Sequence, residues 1–397
     1  MPGSVQQACA DPAHPPRARK ERAIEHNDRP LGVGIVGCGD IFQRYVRGLR
    51  QFPELRIVRC ADILPDRAAR AASEQAIPAT GSTDELLQDP AVDLVLNLTP
   101  PLAHAHVSLA AIEAGKHVYT EKPLAADLAD AARLVTRAAQ RGVRIGTAPD
   151  TFLGRSCQMA LQAIQAGDIG EVIGATAFVR HSRAERWHPD PGFLFRPGGG
   201  PVLDLGPYTL TQLVACLGPV REVAATSRVG APERTVITPG VPSHTIRVEV
   251  PTHAGALLRF ASGVIATVVM SFDIWQTDLP FVEIYGTRGT LSLPNPAKFT
   301  GEARIRRHDD DDWWVPAAPT APVTSQQYTR GLGVADLARS LACGRPHRAT
   351  ADLGLHVLEV LRAIEDAGPT TVQMIDSTCE RPPALAPSEG EPCPTTA

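Results

Sequence analysis

The feature that most constrains the fold is an apolar segment, residues 33–36, that runs into two glycines separated by one residue, Gly37 and Gly39. Gly37 permits a tight turn, and Gly39 lets the backbone approach a pyrophosphate because it has no Cβ atom. Helix-compatible sequence follows. The pattern predicts the first strand, the phosphate-binding turn and the helix start of a dinucleotide-binding βαβ unit.

Asp40 and Ile41 lie where this helix would begin, and we expect backbone N–H groups of this stretch to face the phosphates. Phe42 stands where the usual fingerprint has a third glycine or alanine. A bulky ring at this position should push the helix and the strand apart. The glycine motif therefore needs support from elsewhere in the chain.

A second strand, predicted over residues 55–62, ends in the acidic residue Asp62, 25 positions after Gly37. A carboxylate at an offset of roughly 20 residues contacts the ribose hydroxyls of the adenosine in dinucleotide-binding folds. In that role Asp62 would repel a 2′-phosphate and favour NAD, although the nearby Arg59 and Arg67 leave NADP open. The alternative is a carboxylate that only caps the following helix.

A third strand is predicted over residues 92–98, which are apolar enough for a sheet covered on both faces. It runs into Thr99 and Pro100, where prolines end the strand and redirect the chain. Nucleotides bind at the carboxyl edge of a parallel sheet, so we expect this turn to contact the cofactor. His104 follows in the next helix and is interpreted either as a cofactor contact or as a local packing residue.

Composition limits the classes of function. The chain has 397 residues, 43% hydrophobic and 21% charged, which is typical of a globular protein with two domains. A net charge of −4 gives no reason to expect nucleic acid or an anionic membrane as partner. Residues 1–30 and 376–397 are predicted to be a disordered extension and tail. The eight cysteines form no C-x-x-C pair, which favours reduced thiols in the cytoplasm and no metal site.

Three further motifs resemble one known family. They are Thr-Pro-Pro-x-x-His at 99–104, Ala-Gly-Lys-His-Val at 114–118 and Glu-Lys-Pro-Leu at 121–124. Their order behind the glycine motif is similar to that in the glucose–fructose oxidoreductase, inositol dehydrogenase and MocA-like (Gfo/Idh/MocA) family. The resemblance implies an α/β protein with an N-terminal Rossmann domain (31–149) and a C-terminal α/β domain (150–375) whose sheet is open and mostly antiparallel.

The resemblance also implies NAD as cofactor, a carbohydrate-like substrate and pairing of subunits through the open sheet into a homodimer or homotetramer. Glu121 and Lys122 would lie at the cofactor, with the lysine beside the nicotinamide and the substrate hydroxyl. In the second domain the strand-like stretches are 172–179, 244–250, 256–260, 264–272, 281–285 and 290–293. Helices near 328–343 and 352–367 are expected to complete this domain.

Residues 198–208 are similar to the family segment Gly-Gly-Gly-x-x-x-Asp-x-Gly-x-His. Asp204 matches, and Tyr208 replaces the histidine, as it does in some relatives. A spacing of four residues places both side chains on one face of a helix. Oxidation of an alcohol needs a group that takes the hydroxyl proton, and a lysine cation close to Tyr208 would make the phenol a better base.

We therefore hypothesise a catalytic Lys122–Tyr208 pair supported by Asp204. In the competing assignment Lys122 carries the proton and Tyr208 positions the substrate, and a third interpretation makes Tyr208 a packing aromatic. Candidate substrate contacts are Asp150 and Arg155, just past the last strand of the first domain, and the polar, proline-rich segment with His181, Trp187 and His188.

The predicted function is an NAD(P)-dependent oxidoreductase acting on a secondary alcohol or ketone of a sugar, a cyclitol or a sugar derivative. Two alternatives stay open from the resemblance. One is an NAD-retaining glycosidase or lyase, which would release an aglycone without net cofactor turnover. The other is a non-catalytic sensor that binds the dinucleotide.

Overall fold

The structure is a computed structural model that describes residues 29–181, 184–317, 327, 329–367 and 372–385. It contains a parallel sheet followed by a larger mixed sheet, so the predicted fold class is confirmed.

The first sheet has six parallel strands in the order β3-β2-β1-β4-β5-β6. The strands are β1 (Leu31–Val36), β2 (Leu55–Ala61), β3 (Ala79–Gly81), β4 (Leu94–Asn97), β5 (His117–Thr120) and β6 (Ile145–Thr147). The helices between them are α1 (Phe42–Leu49), α2 (Pro65–Glu74), α3 (Thr83–Gln88), α4 (Pro101–Glu113) and α5 (Leu128–Arg141). Every residue of β1 and β4 is buried, as expected for strands covered on both faces.

The strand order reverses between β1 and β4, so the loops that leave these two strands diverge around a crevice. The turn after β1 and the turn after β4 are in contact there. The ring of Phe42 is 2% exposed and belongs to the core around β1, so this unit forms without a small residue at the third fingerprint position.

The second sheet has eight strands in the order β15-β14-β13-β7-β12-β11-β8-β16, and only β7 and β12 pair in parallel. Its strands are β7 (Val172–Arg180), β8 (Val220–Arg228), β11 (His253–Phe260), β12 (Ile265–Ser271), β13 (Val282–Gly286), β14 (Gly289–Leu293), β15 (Arg304–Arg307) and β16 (Val372–Met374). A separate two-stranded sheet joins β9 (Glu233–Val236) to β10 (His244–Arg247). The helices are α6 (Arg155–Gln165), α7 (Gly200–Leu217), α8 (Leu332–Cys343) and α9 (Ala351–Glu365).

Helix α7 packs against β7 and β12 of this sheet and against α9, and it carries the predicted catalytic segment. Gly206 allows the close approach, because a Cβ atom there would lie 2.3 Å from Leu361. Only Asp204, Leu205 and Tyr208 of α7 are less than fully buried. Core packing therefore fixes the helix, and Tyr208 lines the crevice while Leu205 packs beside the cluster around Leu194 and Phe195.

Helices α8 and α9 also pack against the first sheet, at β6, and α9 contacts α5. Thr350 at the start of α9 bridges to Gly146 of β6. Helix α9, which also packs on β8 and β11, thus contacts both sheets.

The expected disordered tail is wrong for residues 376–385. Arg348 donates hydrogen bonds to the carbonyls of Pro383 and Ala384, and the N–H of Leu385 donates to the buried Gln158 at 2.7 Å. Leu385 is 3% exposed. Tertiary contacts thus hold this proline-rich segment in place, although its composition predicts disorder. Residues 1–28 and 386–397 lie outside the described residues. Within the described part, the helices are too short or too polar to cross a bilayer.

Candidate active site

A cavity of about 1410 Å³ opens along the carboxyl edge of the parallel sheet. All the predicted cofactor residues line it: Gly37, Gly39, Asp40, Ile41, Asp62, Thr99, Pro100, His104, Glu121 and Lys122. Tyr208 lines its far end, together with Phe193 and Arg330, which sequence reasoning had not singled out. Asp204 approaches this end through its contact with Lys122.

The two glycines of the first turn have different surroundings. Gly37 has φ of +100°, and a Cβ atom there would lie 2.7 Å from the carbonyl carbon and oxygen of Leu98. A Cβ atom on Gly39 would meet nothing within 4 Å. The protein itself therefore requires a glycine at position 37, whereas the space over Gly39 is open to the cavity.

Asp62 connects this turn to the start of α2. One carboxylate oxygen accepts the N–H of Cys38 at 2.8 Å, and the other accepts the N–H of Leu64 at 2.9 Å. Arg67 lies 3.8 Å from the same carboxylate. The contact with Leu64 fixes the residue that precedes α2 but is not a cap, since no side chain caps the first turn of that helix, and Asp62 also faces the cavity. Its contact with a ribose stays a prediction.

His104 links the two loops that flank the cavity. Its Nδ1 is 2.7 Å from the carbonyl oxygen of Pro123, and its Nε2 is 2.8 Å from that of Thr99. The imidazole is 1% exposed. Although His104 lines the cavity, both ring nitrogens are engaged in positioning the 99–100 turn and the segment after Lys122.

Lys122 lies at the end of β5 and points toward α7. Its Nζ donates to the carbonyl oxygen of Asp204 at 2.9 Å and to the Oδ1 of the same residue at 3.0 Å. The amine also lies 5.2 Å from the centre of the Tyr208 ring. Burial lowers the pKa of Lys122, but the charges of Asp204, Tyr208 and Glu121 outweigh it and raise that pKa above its ordinary value. The group is an ammonium at neutral pH.

Arg330, just before α8, is a second cation at this end. Its Nη2 donates to the hydroxyl oxygen of Tyr208 at 3.0 Å, and its Nη1 donates to Glu121 at 3.2 Å. No motif in the sequence marks this residue. It is far in sequence from Glu121 and Tyr208 and meets them only through tertiary folding. The sequence carried no signal for it, because the burial of the Glu121 carboxylate, which calls for a second cation, is visible only in the folded structure.

Glu121 ties these groups together. It accepts hydrogen bonds from the hydroxyl of Tyr45 at 2.8 Å and from the N–H of Lys122 at 3.0 Å. Burial alone would raise the pKa of Glu121, but the charges of Arg330 and Lys122 hold it below its usual value. The side chain is therefore a carboxylate that balances the positive charge at this end of the cavity.

Two predicted substrate contacts lie elsewhere, and these predictions are corrected. Asp150 is fully buried and accepts the N–H groups of Gly331 at 3.2 Å and Gly333 at 2.9 Å, so it fixes the start of α8. Arg155 begins α6 and lies 3.7 Å from Glu302. Neither residue lines the cavity.

The other three candidates form a row of aromatic rings. His181 contacts Trp187 at 5.2 Å between ring centres, Trp187 contacts His188 at 5.5 Å, and His188 contacts Phe193 at 5.3 Å. Of these rings only Phe193 lines the cavity. The structure thus places His181, Trp187 and His188 behind Phe193, outside the cavity wall.

The acidic residues 309–312 form a loop in which Asp310 accepts the N–H of Arg307 and the Nε1–H of Trp314. Over the described part of the chain, no group of three or more His, Cys, Asp or Glu side chains is arranged to hold a metal ion.

Comparisons with known proteins agree with this architecture. The model of an oxidoreductase family with an NAD-binding Rossmann fold matches residues 31–148, and that of the GFO/IDH/MocA C-terminal domain matches residues 157–292. A 1,5-anhydro-D-fructose reductase from Ensifer adhaerens is 32% identical over 65% of this chain and 74% of that protein. A myo-inositol 2-dehydrogenase from Thermotoga maritima is 24% identical over 68% of this chain and 77% of the relative.

Solved structures are similar as well. An NAD binding oxidoreductase from Klebsiella pneumoniae has a TM-score of 0.77 at 26% identity, over 87% of this chain and 99% of the other. A levoglucosan dehydrogenase in complex with NADH and levoglucosan has a TM-score of 0.76 at 20% identity, over 88% and 100% of the two chains, which is a likeness of fold. The chain belongs to the Gfo/Idh/MocA family of NAD-binding oxidoreductases.

Proposed function

We propose that this protein is an NAD-dependent dehydrogenase or reductase whose substrate is a secondary alcohol or ketone of a sugar, a cyclitol or a sugar derivative. The observation that carries the proposal is the position of Lys122. Its ammonium lies between Asp204 and the ring of Tyr208, at the opposite end of one cavity from Asp62.

The residues along this cavity fit a dinucleotide. The space over Gly39 accepts a group that approaches the backbone closely, and a diphosphate needs such an approach. Asp62 places a carboxylate beside this turn, which favours free ribose hydroxyls over a 2′-phosphate. The cavity exceeds the roughly 300–1,000 Å³ of a site for one drug-sized ligand, so it has room for a coenzyme and a sugar.

When bound, NAD supplies the hydride acceptor or donor. The protein has to hold the substrate oxygen and move its proton. Lys122 uses hydrogen bonds to two oxygens of Asp204, and its remaining N–H is available to a substrate oxygen. Because the amine is held as a cation, it stabilises negative charge that develops on that oxygen.

The substrate class is inferred from chemistry and relatives together. Phe193 presents an apolar ring in the cavity, 57% exposed, beside the polar groups of Lys122 and Tyr208. This combination suits a sugar ring, which has an apolar face and polar edges. Relatives named as an anhydrofructose reductase and an inositol dehydrogenase support the same class.

The test follows absorbance of the reduced nicotinamide. Purified protein is incubated with NAD or NADP and a panel of sugars, cyclitols and glycosides, and the reverse reaction is run with the corresponding ketones. We expect turnover with NAD, and a loss of about 100-fold or more in Lys122→Met. Lys298→Met, at an exposed lysine away from the cavity, is the matched control.

Two outcomes would contradict the proposal. The first is the absence of nicotinamide reduction or oxidation with every compound of the panel. The second is an unchanged rate in Lys122→Met. Release of an aglycone without net change in nicotinamide would assign the protein to the glycosidase or lyase alternative.

The assembly is also a proposal. On the sheet face opposite α7, Leu257 and Ile265 are 52% and 47% exposed on neighbouring strands. Contiguous exposed apolar side chains mark interaction surfaces, and the open sheet pairs subunits in this family. We expect a homodimer or homotetramer by light scattering and a smaller species in Leu257→Asp. A monomeric wild-type protein would contradict this.

A further inference from the structure

We propose that Arg330 is a positioning residue that makes Tyr208, and not Lys122, the group that carries the proton. This inference rests on the proposed function and extends it to a residue that no motif assigns. The sequence left open whether Tyr208 or Lys122 carries the proton. Which groups donate and which accept in the observed hydrogen bonds distinguishes between the two assignments.

A guanidinium has only N–H donors and accepts no hydrogen bond. Because Arg330 Nη2 lies 3.0 Å from the hydroxyl of Tyr208, the phenol oxygen must be the acceptor. Within the described residues this hydroxyl has no second partner, and Tyr208 lines the cavity. The phenol proton is therefore directed at the space where a substrate oxygen would lie.

Lys122 does not have this freedom. Two of its hydrogen bonds go to Asp204, and its ammonium form is favoured. An amine that already carries its proton cannot take another, so it acts as a donor to the substrate oxygen. The proton that leaves an alcohol has to go to a different group, and Tyr208 is the one beside it.

The proton balance follows. In the oxidation direction the phenolate of Tyr208 takes the hydroxyl proton while the hydride leaves the carbon for the nicotinamide. In the reduction direction the phenol gives its proton to the carbonyl oxygen as the hydride arrives at the carbon. Arg330 exchanges no proton, and it supports the phenolate by its hydrogen bond and its charge.

Arg330 is itself held in place. Glu121 accepts its Nη1 at 3.2 Å, and this carboxylate is fixed by the hydroxyl of Tyr45. Its backbone carbonyl packs on Gly48, where a Cβ atom would lie 1.8 Å away, and the next N–H donates to Asp150. The cation is thus preorganised before substrate binds, as electrostatic stabilisation requires.

The charged groups that face the phenol are Lys122 from the end of β5 and Arg330 from the segment before α8. Their counter-ions are Asp204 of α7 and Glu121. Removal of Arg330 takes one of two cations away from the phenol. The phenol oxygen then loses the hydrogen bond that orients it and the charge that stabilises its anion.

The test compares the wild type with Arg330→Met, Arg330→Lys, Tyr208→Phe and the Arg330→Met/Tyr208→Phe double variant in the oxidation direction. We expect Arg330→Met to lower kcat by about 100-fold with a much smaller change in KM. The double variant should be no slower than Tyr208→Phe, because Arg330 acts through the phenol.

Rescue by a conservative variant accompanies the kinetics. Arg330→Lys keeps a cation near the phenol and should restore part of the kcat that Arg330→Met loses. The control is Arg133→Met, which removes an exposed arginine paired with Asp130 on α5. NADH affinity of each variant reports whether the fold of the site is kept.

Several results would overturn the inference. These are a wild-type kcat in Arg330→Met, an additive double variant, or loss of NADH binding in both Arg330→Met and Arg330→Lys. The last result would make Arg330 a structural residue. If the wild type turns over but one of these results is obtained, the proposed function stands and the role of Arg330 is refuted. If the wild type shows no nicotinamide turnover, the proposed function itself fails.

Discussion

Gly39 offers the sharpest test of the coenzyme site, because a side chain at this position should weaken coenzyme binding without destabilising the fold. Alanine at position 39 would place its Cβ atom in open space, and the φ angle of Gly39 lies outside the left-handed region. Replacing glycine at such a position stabilises a protein by about 0.4–1 kcal/mol through the unfolded chain. We therefore expect Gly39→Ala to fold at least as stably as the wild type and to lose NADH affinity by about tenfold or more, or about 1.4 kcal/mol.

Gly37→Ala should behave in the opposite way. It combines a positive φ, which costs about 1–2 kcal/mol for a residue with a Cβ atom, with a contact of 2.7 Å to the rigid backbone of Leu98. We expect a loss of at least about 2 kcal/mol in the free energy of unfolding.

The assay pairs urea unfolding of the coenzyme-free protein with fluorescence titration of NADH. Gly255→Ala is the matched control, since Gly255 also has open space and no positive φ but lies on β11, away from the cavity. If Gly39→Ala binds NADH as tightly as Gly255→Ala does, the phosphates do not lie over Gly39 and the assignment of this turn is refuted.

Three further predictions concern other parts of the molecule. Asp62→Ala should raise the KM for NAD by about tenfold. It should also lower the ratio of kcat/KM with NAD to kcat/KM with NADP, because the carboxylate no longer repels a 2′-phosphate. A ratio equal to that of the wild type would contradict this. Phe193→Ala should raise the KM for the sugar several-fold with little change in kcat. Trp187→Ala should raise this KM less, since of these two rings only Phe193 lines the cavity. Equal increases of KM in steady-state kinetics would contradict this prediction. Burial lowers the pKa of His347 from 6.5 to about 4, so the unfolded chain binds a proton that the native state excludes. The contribution of His347 to stability should be complete above about pH 6.5 and fall by about 2 kcal/mol between about pH 7 and pH 5. In urea unfolding at the two pH values, His347→Gln should therefore lose about 2 kcal/mol less stability than the wild type; equal losses in both proteins would contradict this.

Local patterns predicted the parts of the site that are contiguous in sequence. The glycine turn after residues 33–36 and the proline turn after residues 92–98 follow neighbouring parallel strands, and these turns have to meet at one edge of the sheet. The capping box of Ser82 and Glu85 at the start of α3 was likewise readable from spacing. Asp204 and Tyr208 share one helix face because four residues make about one turn.

The rest depends on contacts that no local pattern records. Strands β8, β9, β15 and β16 were not predicted, and their sequences mix polar and apolar residues at partly covered positions. Arg330 reaches Glu121 and Tyr208 only when α8 packs against α1. Asp150 became a support for α8 for the same reason. A single sequence gives no signal for such pairings, because each residue is unremarkable within its own segment.

The most direct test of the whole account is an experimental structure of the protein with NADH and a sugar substrate or product. We predict that the Nζ of Lys122 lies within about 4 Å of the reacting oxygen, beside the nicotinamide ring and the hydroxyl of Tyr208. A complex in which the nicotinamide lies away from Lys122 and Tyr208, with the sugar bound elsewhere, would contradict the proposed function.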